Sequence, residues 1–224
     1  HPHMDESEKI AVVHNGTIDN YLTIREELEA EGHKFLSDSD TEVLPILLSN
    51  YYNGNLVEAM SKVLDQIEGI FTIAAIHLDN PDEIVSVRYE TPLVIGLGND
   101  ENYVASDVYA ILKYTQQIIY PKDYEIVRVT SESIEVFDRT LRKLDYEVET
   151  VEEYTEVAEK GGFEHFMLKE IFEQPKALQD SLTELFVESP LDNLDLSWKI
   201  GSISIVACGT SYHAGLEGKY VIEQ

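Results

Sequence analysis

Apolar and polar positions divide the first two-thirds of the chain into short alternating runs. Ile10-Ala11-Val12-Val13 is apolar and ends at Asn15-Gly16, which predicts a strand over 9–14 running into a turn. From Ile18 to Glu31 the apolar residues Ile18, Tyr21, Leu22 and Leu28 recur at helical spacing, and Gly32 supplies a stop. A polar loop over 37–40 leads to a second predicted helix that reaches about residue 52. Ser39 and Glu42 there have capping-box spacing, and Pro45 fits only if the helix begins near Thr41 or Glu42. Asn55 with Glu58 opens a third helix, whose stripe is Leu56, Ala59, Met60, Val63, Leu64 and Ile67, with Gly69 as its end.

The period then changes from helix to strand. Residues 70–78 are nearly all apolar, which predicts a strand covered on both faces. After a turn at Asp79-Asn80-Pro81-Asp82, residues 83–89 alternate. Ile84, Ser86 and Arg88 fall on one side, and Val85, Val87 and Tyr89 on the other. Further strands are predicted at 93–97, 103–105, 117–120, 125–129 and 133–137, with a small helix near 107–114. Helices grouped in sequence and many strands joined by tight turns predict an α+β fold of antiparallel sheets covered by helices. Glutamates crowd residues 145–160, which predicts a linker or domain edge. A helix over 165–185 contains Pro175 and is expected to kink or break there. Ile203-Ser204-Ile205-Val206-Ala207 predicts a buried strand, followed by a tight polar loop and a helix from about Tyr212. This strand–loop–helix suits the opening of a separate parallel α/β domain.

Composition narrows the class. With 43% hydrophobic and 26% charged residues in 224, the chain is that of an ordinary globular protein. No apolar run of about 18 residues exists to span a bilayer. A single cysteine, Cys208, allows no internal disulfide and no cysteine-rich zinc site. The seven histidines show no metal-ligand spacing, so no metal site is expected. A net charge of −27 repels nucleic acid and acidic membrane surfaces. Without a signal peptide, a cytoplasmic protein is expected. The chain starts His1-Pro2-His3-Met4 and stops at Gln224 inside a predicted helix, which reads as a piece of a longer protein.

Four places carry candidate chemistry. Asn15 and Gly16 place a side-chain amide donor and an approachable backbone N–H side by side. Such a pair can hold an acyl-transfer oxyanion, and it is also a common turn dipeptide. Asp40 at a helix start could bind the ammonium of an amino acid, or serve as a first-turn acid. Gly209, Thr210 and Ser211 offer N–H groups and hydroxyls before a helix, fit for a phosphate or for ordinary capping. Cys208 follows a buried strand and reads as a small core residue rather than a nucleophile.

Taken in order, several segments carry a resemblance: His1-Pro2-His3, Lys9 through Gly16, Ser39-Asp40-Thr41-Glu42-Val43 and Pro92 through Gly98. Ala105-Ser106-Asp107, His165 through Ile171 with Glu173-Gln174-Pro175, and Ala207-Cys208-Gly209-Thr210-Ser211-Tyr212 extend it. The chain resembles the glutamine–fructose-6-phosphate aminotransferase (isomerizing) family. The resemblance implies a four-layer αββα glutaminase domain of the N-terminal-nucleophile type over residues 1–150, lacking its first part. A linker with an inter-domain helix follows over 151–198, and 199–224 open a sugar-isomerase (SIS) domain. It implies glutamine and fructose 6-phosphate as substrates, glucosamine 6-phosphate as product, no cofactor, and a homo-oligomer when full length.

By motif, Asn15 and Gly16 correspond to the oxyanion hole, Asp40 to the partner of the glutamine ammonium, and Thr210 and Ser211 to phosphate-binding residues. The family's N-terminal cysteine and an arginine–tryptophan motif have no counterpart here. The chain by itself is therefore expected to be inactive and to expose apolar surface and an unpaired strand edge. The alternative is a phosphosugar-binding regulatory module with a degenerate glutaminase-like domain.

Overall fold

The computed structural model describes residues 1–151, 162–187 and 201–223. The chain separates into two compact units, His1–Glu159 and Lys160–Gln224.

The first unit is built on two antiparallel sheets. Its larger sheet has seven strands, formed in chain order by β1 (His3–Met4), β2 (Ile10–Ile18), β3 (Gly69–His77), β4 (Asn80–Tyr89), β8 (Ile126–Val129), β9 (Ile134–Phe137) and β10 (Lys143–Leu144), and these are also neighbours in that order. The smaller sheet has the order β11 (Glu149–Thr150), β7 (Gln117–Ile119), β5 (Val94–Leu97), β6 (Asn102–Ala105). Three helices, α1 (Tyr21–Ala30), α2 (Val43–Tyr51) and α3 (Leu56–Leu64), cover one face of the larger sheet. Val12, Ile73, Val85 and Val87 from the strands meet Leu44, Leu48, Met60 and Val63 from the helices in this core. The smaller sheet packs on the opposite face, where Leu93, Ile95 and Ile119 meet Val127, Val129, Ile134 and Val136. The observed layers are therefore α, β and β.

Local signals explain most of the elements. Asn55 caps α3 by accepting from the N–H groups of Val57 and Glu58, as its spacing to Glu58 predicts. Asn55→Ala is expected to cost about 1 kcal/mol, read as a lower urea midpoint with an unchanged slope. The alternation over 84–89 also holds: Val85 and Val87 face the helices, while Ile84 packs in the second core.

Several expectations are corrected. Asn15-Gly16 is not a turn, because β2 continues to Ile18 in unbroken register with β3, pairing Asn15 with Thr72 and Gly16 with Phe71. Ile18 therefore belongs to the strand, and α1 buries Leu28 as expected and Ile24 in place of Leu22, which is exposed. Ser39 does cap, accepting from Thr41 N–H, but Glu42 does not close a capping box. Its carboxylate turns back to the N–H groups of Leu36 and Ser37. β3 is not covered on both faces: Ile70 and Ile76 remain 42% and 44% exposed.

In the second unit, α4 (Phe166–Val187) runs through Pro175 without a break, because one missing N–H bond is outweighed by the rest of a 22-residue helix. Residues 203–207 form no strand, since none of the described residues pairs with them. α5 (Gly209–Ile222) begins three residues earlier than expected and takes Thr210 and Ser211 into its first turn. Cys208 precedes it and is exposed rather than in a core, because no sheet among the described residues covers that segment. Residues 152–161 and 188–200, including most of the expected linker, lie outside the described residues. No helix among the described residues is long and apolar enough to cross a membrane.

Candidate functional site

The site is set by the way β2 meets the sheet edge. β1 is two residues long and covers only Ala11 and Val12, so among the described residues the outer backbone of β2 beyond them has no neighbouring strand. Backbone groups of an antiparallel strand alternate between its two neighbours. Ile10 turns outward, exchanging bonds with Asp5, whereas the Lys9 carbonyl turns inward to Leu78 N–H. Farther along, Ile18 N–H points outward to Asp40 Oδ2 at 2.9 Å, and Asp19 N–H points inward to the Glu68 carbonyl. The same alternation sends the N–H of Gly16 to the open edge.

Side chains alternate as well. Ile10, Val12, His14 and Ile18 are buried under the helices, while Val13, Asn15 and Thr17 stand exposed on the opposite face. Asn15 lies opposite Thr72, whose hydroxyl contacts Thr91 Oγ1 at 2.6 Å and the Pro92 carbonyl at 2.9 Å. The 91–92 loop thus closes one side of the face that Asn15 shares. Val13, Ile70 and Ile76 leave the remainder open and apolar. Exposed apolar surface and an unpaired strand edge are both present, as expected.

Gly16 is required by this geometry. Its φ is +120°, and a Cβ there would lie 2.0 Å from the Ile70 carbonyl oxygen. Across the ladder, Gly69 has φ +132°, and a Cβ there would lie 2.1 Å from the Thr17 carbonyl oxygen. The two glycines let β2 and β3 approach and twist where the edge opens.

Asp40 is delivered by the turn before α2. A 3-10 turn spans Asp40–Glu42, and Glu42 behind it is 5% exposed. Burial works to raise the Glu42 pKa, but the donors from Leu36 and Ser37 outweigh it and hold the carboxyl below its ordinary value. The clasp shapes residues 36–40 so that Asp40 reaches the end of β2. Asp40 is thereby held at Ile18, two residues along β2 from Gly16 and three from Asn15. His14 and Thr41 join them through a 2.9 Å contact between His14 Nδ1 and Thr41 Oγ1. Spacing could not reveal that contact, because it spans 27 residues of chain.

This stretch of β2 carries an exposed amide side chain, an edge-directed N–H and, at Ile18, an anchored carboxylate. That set can receive a carbonyl oxygen and an ammonium from one small molecule. Among the described residues no group of three or more His, Cys, Asp or Glu is placed to hold a metal ion. Thr210 and Ser211 lie in the second unit at the start of α5, where first-turn N–H groups have no helical partners.

Known proteins place the chain in a family. The chain is 50% identical to the glutamine–fructose-6-phosphate aminotransferase (isomerizing) of Caldanaerobacter subterraneus subsp. tengcongensis, over 100% of this chain and 38% of that protein. It is 46% identical to the protein of that name from Clostridium tetani, over 100% of this chain and 38% of that protein. For the Aquifex aeolicus protein of that name the identity is 45%, again over 100% and 38%. The chain thus spans 38% of the length of these relatives.

Among solved structures, glutamine phosphoribosylpyrophosphate amidotransferase from B. subtilis, complexed with ADP and GMP, superposes with a TM-score of 0.54 at 22% identity. The match covers 62% of this chain and 31% of that one. A structure described as the allosteric regulatory enzyme of purine biosynthesis gives 0.52 at 20% identity, over 63% of this chain and 31% of that one. These two speak for the fold. Residues 1–113 match the glutamine amidotransferase domain, so that β2, the Asp40 turn and the helices behind them all fall inside the match, and the chain belongs to that family.

Proposed function

We propose that this chain carries the glutamine-binding strand of an enzyme that transfers the amide nitrogen of glutamine to fructose 6-phosphate, forming glucosamine 6-phosphate. The relatives' shared name and the family match support the reaction class. The observation that carries it is the Asp40 carboxylate anchored on Ile18 N–H, two residues from Gly16, whose N–H strand alternation directs to the same edge.

Asp40 binds the α-ammonium of glutamine. That contact sets the side-chain amide along β2, toward Asn15 and Gly16. As a nucleophile adds to the amide carbon, negative charge gathers on the carbonyl oxygen. The Asn15 side-chain N–H and the Gly16 backbone N–H meet that charge. Each such donor lowers the barrier by roughly 3–4 kcal/mol where it has been measured. The attacking nucleophile is not among these residues. In the second unit, Thr210 and Ser211 offer hydroxyls and first-turn N–H groups to the sugar phosphate, against the positive end of α5.

The layers of the first unit are read as part of a four-layer αββα amidotransferase sandwich over residues 1–150. Residues 151–198 are read as a connection and 199–224 as the opening of a sugar-isomerase domain.

Glutamine titrated into the 15N-labelled chain tests the site. The amides of Asn15, Gly16, Ile18 and Asp40 are expected to shift together, and Asp40→Asn to weaken the apparent affinity at least tenfold, the order expected for losing one charge-assisted contact. Equal binding by wild type and Asp40→Asn, or shifts confined to other residues, would refute the proposal.

A further inference from the structure

His14 lies on the buried face of β2, 5% exposed, directly behind the proposed ammonium site. Its Nδ1 is 2.9 Å from Thr41 Oγ1, and the Thr41 hydroxyl is 3.5 Å from Asp40 Oδ1. The other carboxylate oxygen, Oδ2, accepts from Ile18 N–H at 2.9 Å. His14 Nε2 is fully enclosed and has no hydrogen-bond partner.

That orphaned nitrogen selects a tautomer. With the proton on Nε2, a donor would be buried without an acceptor, and Thr41 would have to donate to Nδ1. Asp40 Oδ1 would then lose the hydroxyl. With the proton on Nδ1, only an acceptor is left unpaired. The imidazole donates to Thr41, and the Thr41 proton is free to point at the carboxylate, whose charge orients it. Burying an unpaired N–H costs more than leaving an acceptor unpaired, so the second arrangement is favoured. Burial also pushes the His14 pKa below its ordinary value. Asp40 opposes that shift and His3 reinforces it, and the net direction keeps the ring neutral near pH 7.

We propose that His14 and Thr41 are positioning residues: neutral His14, as the Nδ1–H tautomer, turns the Thr41 hydroxyl so that it fixes the Asp40 carboxylate against Ile18. The consequence for glutamine rests on the reading of Asp40 given above, whereas the relay itself can be measured without any ligand.

The test is NMR on the intact 224-residue chain. The imidazole 15N shifts of His14 should report a protonated Nδ1 and a bare Nε2, the reverse of the tautomer that free histidine prefers in water. The Ile18 amide proton reports whether Asp40 is in place, with Asp40→Ala defining its released position. Thr41→Val should move the Ile18 signal at least halfway to that position and weaken glutamine about fivefold, the order expected for loss of one ordinary hydrogen bond. Thr41→Ser, which keeps the hydroxyl, should restore both. A structural role for the methyl group alone would predict the opposite order.

A protonated Nε2, or an Ile18 amide unmoved in Thr41→Val, would overturn the relay. The tautomer measurement uses the unaltered chain, so it decides even if Thr41→Val fails to fold. If the relay behaves as stated while Asp40→Asn leaves glutamine affinity unchanged, the functional reading of Asp40 fails and the relay stands. If Asp40→Asn weakens glutamine and Thr41→Val does not, the relay's consequence for glutamine fails and the functional reading stands.

Discussion

Gly16→Ala is expected to destabilise the first unit by roughly 3 kcal/mol and to close the candidate site at the same time. Two costs combine. The backbone at Gly16 sits at φ +120°, a region that a residue with a Cβ enters only under strain. The added methyl would also lie 2.0 Å from the Ile70 carbonyl oxygen and 2.9 Å from Phe71 Cα. Those neighbours are backbone, so no side-chain rotation relieves the clash. β2 would have to part from β3 at its open end, two residues before Ile18, whose N–H holds the Asp40 carboxylate. Phe71, opposite Gly16 and 1% exposed, would lose packing with it.

Urea unfolding monitored by tyrosine fluorescence checks this, with a lower midpoint at nearly constant slope. Gly69→Ala should behave alike, because its Cβ would meet the Thr17 carbonyl at 2.1 Å. A loss under about 1 kcal/mol at both positions would show that the ladder relaxes freely, against this account.

Glu42→Gln ranks second, at roughly 2–4 kcal/mol. The carboxylate accepts from Leu36 N–H, from Ser37 N–H at 2.8 Å and from the Ser37 hydroxyl. An amide keeps one acceptor oxygen and turns an NH2 group toward donors, so at least one N–H of the 36–37 loop loses its partner. The loop that presents Asp40 would loosen, and glutamine affinity should fall together with stability.

The same residue gives a pH signature. Glu42 and Asp5 both have folded pKa values below their ordinary 4.5 and 3.8. For Asp5, burial opposes the shift, while donors from Ser7, Ile10 and Lys9 produce it. In the unfolded chain these carboxyls take up protons at higher pH than in the folded one. Their stabilisation is therefore complete above their ordinary values and is lost as pH falls through the folded ones. Wild-type stability should decline as pH drops below about 4.5, and Glu42→Gln should show a shallower decline. Parallel acid curves for the two proteins would refute the role given to Glu42.

The order and type of most elements in the first unit could be read from local pattern, because each rests on short-range chemistry. Asn55 caps its own helix, Gly32 stops α1 at φ +103°, and the alternation at 84–89 matches two cores that bury opposite faces of β4. The pairing of Asn15-Gly16 with a carboxylate at Asp40 was legible only as a resemblance. Spacing by itself left a turn dipeptide and a first-turn acid.

Tertiary structure decided the rest. The dipeptide stays in the strand because β3 pairs with it in an unbroken ladder, Thr72 and Phe71 opposite it and Gly69 opposite Ile18. Glu42 serves the loop before it rather than its own helix cap, because folding brings the Leu36 and Ser37 N–H groups to it. The apolar run at 203–207 forms no strand, since strand structure is a property of two paired segments and none of the described residues pairs with this one. The sequence by itself determined which residues favour helix or strand and which carry donors or charge. Only the fold decided that Gly16 faces an open edge, that Asp40 is tied to Ile18 and that His14 stands behind them. Those contacts cross 22 to 27 residues of chain, a distance over which neither helical nor strand periodicity carries information.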